Sequence, residues 1–322
     1  MNFQNIEPIQ TSKFYLDVAI QRGKKQANNI SIKTKDDDKK TLIKEKTRVK
    51  TIKESLEKSL TSIIKTFPGL DGLPEFYTEL SKSTMNVDEV KKALSTIAWA
   101  TKKINELERM FQKSTRGKNK AEIINAKKAY LGRVSSIMKR LEKKLELIEK
   151  ARNIMISFPD IKDDLYTVCI AGFPNVGKST LLSKITTSKP EIGNYAFTTT
   201  KLNTGYFKDN FESIQVIDVP GTLNRFEKMN NVEKQAHLAI KYLANLIVYV
   251  IDLTEPYTIQ EQEELYKKTK EQGKQIIIYF SKADLIGEEP IKKYITKQKI
   301  ENATWTADEV KKEIAKQKKQ NK

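Results

Sequence analysis

The 322-residue chain has one cysteine, Cys169, and one histidine, His237. A single thiol excludes an internal disulfide and fits a reducing, cytoplasmic compartment. Cys169 lies in a predicted strand and reads as a small core residue. A lone histidine excludes a His-based metal site or a Ser-His-Asp triad within this chain. No stretch approaches the ~18–20 apolar residues of a membrane span, so no membrane partner is expected. The opening residues Met1-Asn2-Phe3-Gln4-Asn5 lack the basic start and apolar run of a secretory signal. No internal repeat is apparent.

Lysine is abundant, and its distribution is uneven. The net charge is +18, with 38% hydrophobic and 31% charged residues. Residues 1–160 carry 34 Lys and Arg against 20 Asp and Glu, whereas residues 161–322 carry 25 against 21. The first half therefore holds most of the excess. A basic half points to a polyanionic partner, nucleic acid before membrane. The other reading is a solvated, lysine-rich surface.

Residues 1–160 show helical periodicity, with glycine scarce after Gly72. One helix is expected over 42–64, ended by Phe67-Pro68-Gly69, and a short one near 75–80. Asn86 is a candidate N-cap for a helix carrying Val90, Leu94, Ile97, Ile104, Leu107 and Phe111 on one face. Gly117 breaks the pattern, and a long basic helix over 118–150 follows. That helix bears Lys120, Lys127, Lys128, Arg133, Lys139, Arg140, Lys143 and Lys144 beside its apolar stripe. It lacks interleaved aromatics, so recognition of folded RNA by shape and backbone fits better than single-strand stacking. Residues 33–40 read as a polar loop. Antiparallel packing of these helices would give a bundle.

Residues 161–322 alternate strand and helix. Strands are expected at 166–171, 214–217, 246–251 and 275–280, and helices at 232–243, 259–272 and 307–316. Such a sheet binds ligands at the C-terminal ends of its strands. After the first strand comes Gly172-Phe173-Pro174-Asn175-Val176-Gly177-Lys178-Ser179-Thr180, which fits G-x-x-x-x-G-K-[ST]. Gly172 and Gly177 let the backbone curl so that several N–H groups face one anion. The following helix N-terminus adds partial positive charge there. Lys178 would reach β/γ-phosphates and the Ser179 hydroxyl would ligate magnesium.

Three later segments complete the pattern. Asp218-Val219-Pro220-Gly221 follows a strand, with a carboxylate suited to magnesium and a Gly221 N–H suited to the γ-phosphate. Thr198-Thr199-Thr200 offers a hydroxyl that closes over magnesium when the γ-phosphate is present. Ser281-Lys282-Ala283-Asp284 follows another strand. The Asp284 carboxylate suits the N1–H and 2-amino donors of guanine, which adenine lacks.

These motifs, with Asn194-Tyr195-Ala196-Phe197 and Met229-Asn230-Asn231-Val232-Glu233-Lys234-Gln235, resemble an Obg-type GTPase, and within that branch the nucleolar GTP-binding protein 1 (Nog-type) family. The resemblance extends through Phe67-Pro68 to most of the chain, in a compact, archaeal-like form. It implies an α/β P-loop GTPase (Ras-like) domain, residues 161–322, preceded by an all-α helical bundle domain, residues 1–160. It further implies GTP/GDP and magnesium as ligands and a role in large ribosomal subunit assembly. The partners would be rRNA and the subunit precursor, with ribosomal proteins as further candidates and the chain itself a monomer. By matching position, Lys178, Thr199 and Gly221 would be catalytic. Residues Gly172, Phe173, Pro174, Asn175, Val176, Gly177, Lys178, Ser179, Thr180, Asp218, Pro220, Gly221, Ser281, Lys282 and Asp284 would bind nucleotide. Ser179, Thr199 and Asp218 would hold magnesium. Asn175 stands where related enzymes use an asparagine to help hold potassium; an ordinary turn asparagine is the other reading.

Departures from the family pattern are visible. Ser281 replaces the asparagine of N-K-x-D, and Thr222 replaces the water-orienting glutamine of Ras-like enzymes. Threonine is too short for that role, so slow turnover is expected, with Arg225 a weak finger candidate. Asn302-Ala303-Thr304 is the best-placed guanine loop. The alternatives are a GTPase that binds mature ribosomes or a signalling partner, and an ATPase, which Asp284 disfavours.

Overall fold

The computed structural model describes residues 3–186, 191–193, 202–209, 211–219, 231–254 and 258–320. Its first elements are helices α1 (Ser12–Asn29), α2 (Asp37–Thr66), α3 (Glu75–Thr84), α4 (Val87–Ser114) and α5 (Lys120–Ile156). The chain divides into two compact units. One comprises Gln4–Leu70 and Met85–Ile156; the other comprises Met1–Phe3, Asp71–Thr84 and Ser157–Lys322. The helical unit is thus interrupted in sequence, because α3 packs with the second unit.

In the helical unit, α2 packs against α1, α4 and α5, and α4 against α5. The apolar stripes supply its core: Val49, Ile52, Leu56 and Leu60 from α2, Ile97 and Ile104 from α4, and Val134, Met138, Leu141 and Leu145 from α5. Helix α1 contributes the small residues Ala19, Gly23 and Ala27 instead. A Cβ on Gly23 would lie 2.6 Å from Ile52 Cγ1 and 2.9 Å from the Arg48 carbonyl. Glycine therefore sets how closely α1 approaches α2. The polar segment 33–40 is only partly a loop. Asp36 accepts the Lys39 N–H at 3.0 Å and starts α2, with Asp37 and Asp38 in the favourable first turn. Asn86 caps α4 as its sequence position predicted, accepting the Glu89 N–H at 3.2 Å.

The second unit contains β1 (Tyr166–Ala171), α6 (Lys178–Ile185), β2 (Glu191–Gly193), β3 (Leu202–Asp209), β4 (Glu212–Asp218), α7 (Asn231–Tyr242), β5 (Leu246–Asp252) and α8 (Ile259–Lys270). It ends with β6 (Gln275–Ser281), α9 (Ala283–Ile286), α10 (Glu288–Gln298), β7 (Ala303–Thr304) and α11 (Ala307–Gln320). The strands form one mixed sheet in the order β2-β3-β4-β1-β5-β6-β7. Strands β4, β1, β5, β6 and β7 run parallel, while β3 is antiparallel to both β4 and β2. Every residue of β5 is buried, which accounts for its unbroken apolar run before Asp252. Helix α3 packs on α7. Buried Tyr77 anchors α3: its hydroxyl donates to the Pro159 carbonyl at 2.7 Å and accepts the Ile161 N–H at 2.9 Å. Phe3, Phe76 and Phe158 surround its ring. No described helix is long and apolar enough to cross a membrane.

Candidate nucleotide-binding site

The register of the parallel strands gathers the motif residues at one edge of the sheet. Ile170 of β1 lies opposite Asp218 of β4, and Asp252 of β5 opposite Ser281 of β6. The 172–179 loop, Asp218 and the 281–284 segment therefore emerge side by side at the strand C-termini, where such sheets bind ligands.

The loop conformation explains its glycines. Gly172 has φ +144°, and a Cβ there would meet the Val250 carbonyl at 2.7 Å. Gly177 has φ +95° and precedes α6. Asn175 also has positive φ, 62°, and is exposed, consistent with either of its readings. Phe173 and Val176 are buried beneath the loop, Pro174 is half-buried and Thr180 is exposed. The Leu181 N–H bonds the Gly177 carbonyl at 2.9 Å, so α6 is helical from its first turn. The N–H groups preceding Leu181 in α6 have no intrahelical acceptor, the arrangement by which a helix start binds an anion.

Two charged groups meet there. Lys178, 8% exposed, donates from Nζ to the Phe173 carbonyl at 2.5 Å. Burial pushes its pKa down, partly offset by Asp218. Asp218, 6% exposed, accepts the Ser179 hydroxyl on Oδ2 at 2.5 Å. Burial pushes its pKa up, against the Ser179 bond, the Lys178 charge and the Asn203 amide. Asn203, on β3 opposite Asp218, reaches Oδ2 at 3.5 Å. Ser179 Oγ and the Asp218 carboxylate are hard oxygen donors converging on one point, a set that suits magnesium.

In the 281–284 segment, Ser281 is 3% exposed and donates its hydroxyl to the Ile251 carbonyl at 3.3 Å. Its Cβ lies 3.5 Å from where a Gly177 Cβ would stand, so this segment abuts the phosphate loop. Lys282 adopts φ 54° and pairs with Asp252 at 2.5 Å. Asp284 is exposed in the first turn of α9. Of the 302–304 candidate loop, Ala303 and Thr304 form β7 beside Ile278 and Tyr279 of β6. The segment leaving β7 toward the site is Trp305-Thr306. Both of its N–H groups donate to Glu309 Oε2 at 3.1 Å.

Thr198, Thr199, Thr200, Pro220, Gly221, Thr222, Arg225 and the 194–197 and 229–230 motif residues lie outside the described residues. Asn203, Asp252, Trp305 and Glu309 join the motif residues here without belonging to any of the motifs. Asp252 does carry a signal, a lone carboxylate closing an apolar strand at the ligand-binding end. Asn203 carries none, because only the β3–β4 register brings it to Asp218.

On the helical unit, the basic residues of α5 divide. Lys127 is held by the buried Glu45 at 3.3 Å and Lys120 by Asp37 at 2.8 Å. Lys128, Arg133, Lys139, Arg140 and Lys143 are exposed, and Lys144 is half-buried.

A mixed sheet with a parallel core, a glycine-bent loop before α6, a Lys-Ser pair at that helix start and an Asp at the neighbouring strand end define a P-loop GTPase domain preceded by helices. Residues 167–282 match the family described as 50S ribosome-binding GTPase, and residues 3–162 match the NOG1 N-terminal helical domain. The chain belongs to the nucleolar GTP-binding protein 1 family. An uncharacterized protein of Methanocaldococcus jannaschii is 37% identical, over 85% of this chain and 78% of that protein. Nucleolar GTP-binding protein 1 of Saccharomyces cerevisiae is 32% identical over 76% of this chain, and that of Eremothecium gossypii 29% over 90%. The chain spans only 39% and 46% of those two proteins. Among solved structures, the G domain of the T. maritima FeoB iron transporter aligns with 48% of this chain and 98% of its own, at 23% identity and a TM-score of 0.41.

Proposed function

We propose that the chain binds GTP and GDP at the 172–179 loop, hydrolyses GTP slowly, and uses this cycle to control attachment to a large ribosomal subunit precursor through rRNA. The observation that carries the nucleotide reading is the convergence of Lys178, Ser179, Asp218 and the 281–284 segment at one sheet edge. The partner reading is supported by the basic helical unit and by the names of the relatives.

In this reading Lys178 exchanges the Phe173 carbonyl for the β/γ-phosphates, whose charge compensates the burial of its ammonium. The α6 N-terminus and loop amides hold the same anion. Ser179 and Asp218, with Thr199, would hold magnesium, which when bound neutralises charge on the phosphate oxygens. Gly221 would donate its N–H to the γ-phosphate, and Asn175 is a candidate potassium ligand. Asp284 accepts the guanine N1–H and 2-amino donors, and disfavours adenine, which has neither donor to pair with its carboxylate. Thr222 is too short to orient the attacking water as glutamine does. Unassisted turnover is expected at or below ~10⁻⁴–10⁻² s⁻¹.

Titration of the purified chain with GTP and ATP in magnesium tests the nucleotide reading. Preference for GTP is the expected result; equal affinity would contradict it.

A further inference from the structure

The Asp252 carboxylate is enclosed at the end of β5, with 0% side-chain exposure. Its Oδ1 accepts the Thr254 N–H at 2.9 Å and the Thr254 hydroxyl at 2.7 Å. Its Oδ2 faces Lys282 Nζ at 2.5 Å. Gln262, on α8 and 1% exposed, clamps the same residue's backbone. It accepts the Asp252 N–H at 2.9 Å and donates to the Asp252 carbonyl at 2.8 Å. A buried carboxylate held from both sides is a fixed anchor, not a mobile surface charge.

Lys282 is the group it anchors. Its backbone sits in the left-handed region at φ 54°, a conformation that a non-glycine residue keeps only when its surroundings enforce it. Its side chain is 34% exposed, and Nζ also approaches the Thr254 hydroxyl at 3.5 Å. The neighbouring Ser281 pairs with Asp252 in the β5–β6 ladder, and its hydroxyl also donates to the Ile251 carbonyl at 3.3 Å. The Asp252–Lys282 ion pair carries that tie one residue past the end of β6, toward Asp284.

We infer that Asp252 is a positioning residue for base recognition, holding Lys282 so that Asp284 stays free to read a purine with N1–H and 2-amino donors. The inference rests on the guanine reading of Asp284. Its physical content is a pinned backbone: held by Asp252, Lys282 keeps the 281–284 turn in its left-handed geometry, and the lysine stem remains an apolar strip beside the base.

The test is Asp252→Asn in the full chain, with GTP and ITP affinities measured by calorimetry at fixed magnesium. ITP lacks the 2-amino donor. GTP affinity is expected to fall about tenfold and ITP affinity less than about threefold, so that discrimination collapses. Adding Lys282→Met to that variant should change GTP affinity by less than about twofold, because the two residues act as one unit. An unchanged GTP:ITP ratio, an equal loss for both triphosphates, or full additivity would overturn the inference. Should Asp252→Asn not fold, Lys282→Met and Thr254→Val carry the test. A lowered ratio in both supports the inference, and an unchanged ratio in either overturns it. A wild-type chain that binds ATP as well as GTP overturns the guanine reading together with this inference. A wild type that prefers GTP, with an unaltered ratio in the variants, overturns the inference alone.

Discussion

Asp218 and Lys178 are buried as charges without full compensation, and both pKa values move toward the neutral form. For Asp218 the folded pKa is raised. Its stabilising contribution is therefore full below the unfolded pKa and lost as pH rises through the folded one. At neutral pH the ionised carboxylate works against the nucleotide-free fold. Asp218→Asn should stabilise that fold by about 1 kcal/mol while abolishing magnesium-dependent nucleotide binding. Thermal melting without nucleotide, beside a GTP titration, checks both halves; a lower Tm contradicts the electrostatic account. Metal-supported binding by the wild type should weaken with acid, beginning above the ordinary carboxylate range. Lys178→Ala should remove GTP turnover, and phosphate release persisting in that variant contradicts the site. These residues were legible because a motif fixes their spacing. Asn203 and Glu309 were not, because strand register and helix capping, not spacing, place them, whereas Asp252 is marked only as a carboxylate closing an apolar strand.

Elements were legible where their burial pattern was apolar and one-sided. The α4 and α5 stripes and the all-buried β5 are visible in the residues themselves. Helix α1 was not, because its buried face is built of Ser12, Ala19, Gly23 and Ala27, which carry no hydrophobic period. Gly23→Ala should destabilise the helical unit by about 1–3 kcal/mol, since its new Cβ lands 2.6 Å from Ile52. Urea unfolding followed by circular dichroism would measure the shift, and an unchanged midpoint would mean that α1 and α2 pack less closely. Helix α10 was hidden for a related reason, with Ile291 as its one buried residue. Helix α3 was expected as a short helix, but its packing on α7 was not, because only the three-dimensional position of Tyr77 shows it. Tyr77→Phe should cost about 1–3 kcal/mol by leaving the Ile161 N–H and Pro159 carbonyl without that partner. The same unfolding experiment, read in the GTPase unit, checks it.

Across the whole molecule, charge and chemistry are segregated. Residues 1–160 carry most of the +18 excess, while the nucleotide motifs lie beyond residue 171. Lys128, Arg133, Lys139, Arg140 and Lys143 form an exposed basic row on α5. If it contacts ~6–10 phosphates, RNA affinity should fall on the order of 10³–10⁵ between 50 and 200 mM salt. The central claim joins the two units: the guanine nucleotide sets the affinity of the chain for an immature large subunit. Co-sedimentation of the full chain with immature and mature large subunits, in a non-hydrolysable GTP analogue and in GDP, tests it most directly. The account predicts tighter association with the immature particle, and an affinity that differs between the two nucleotides and loses that difference in Lys178→Ala. Equal association in both nucleotides, or preference for the mature particle, would contradict it.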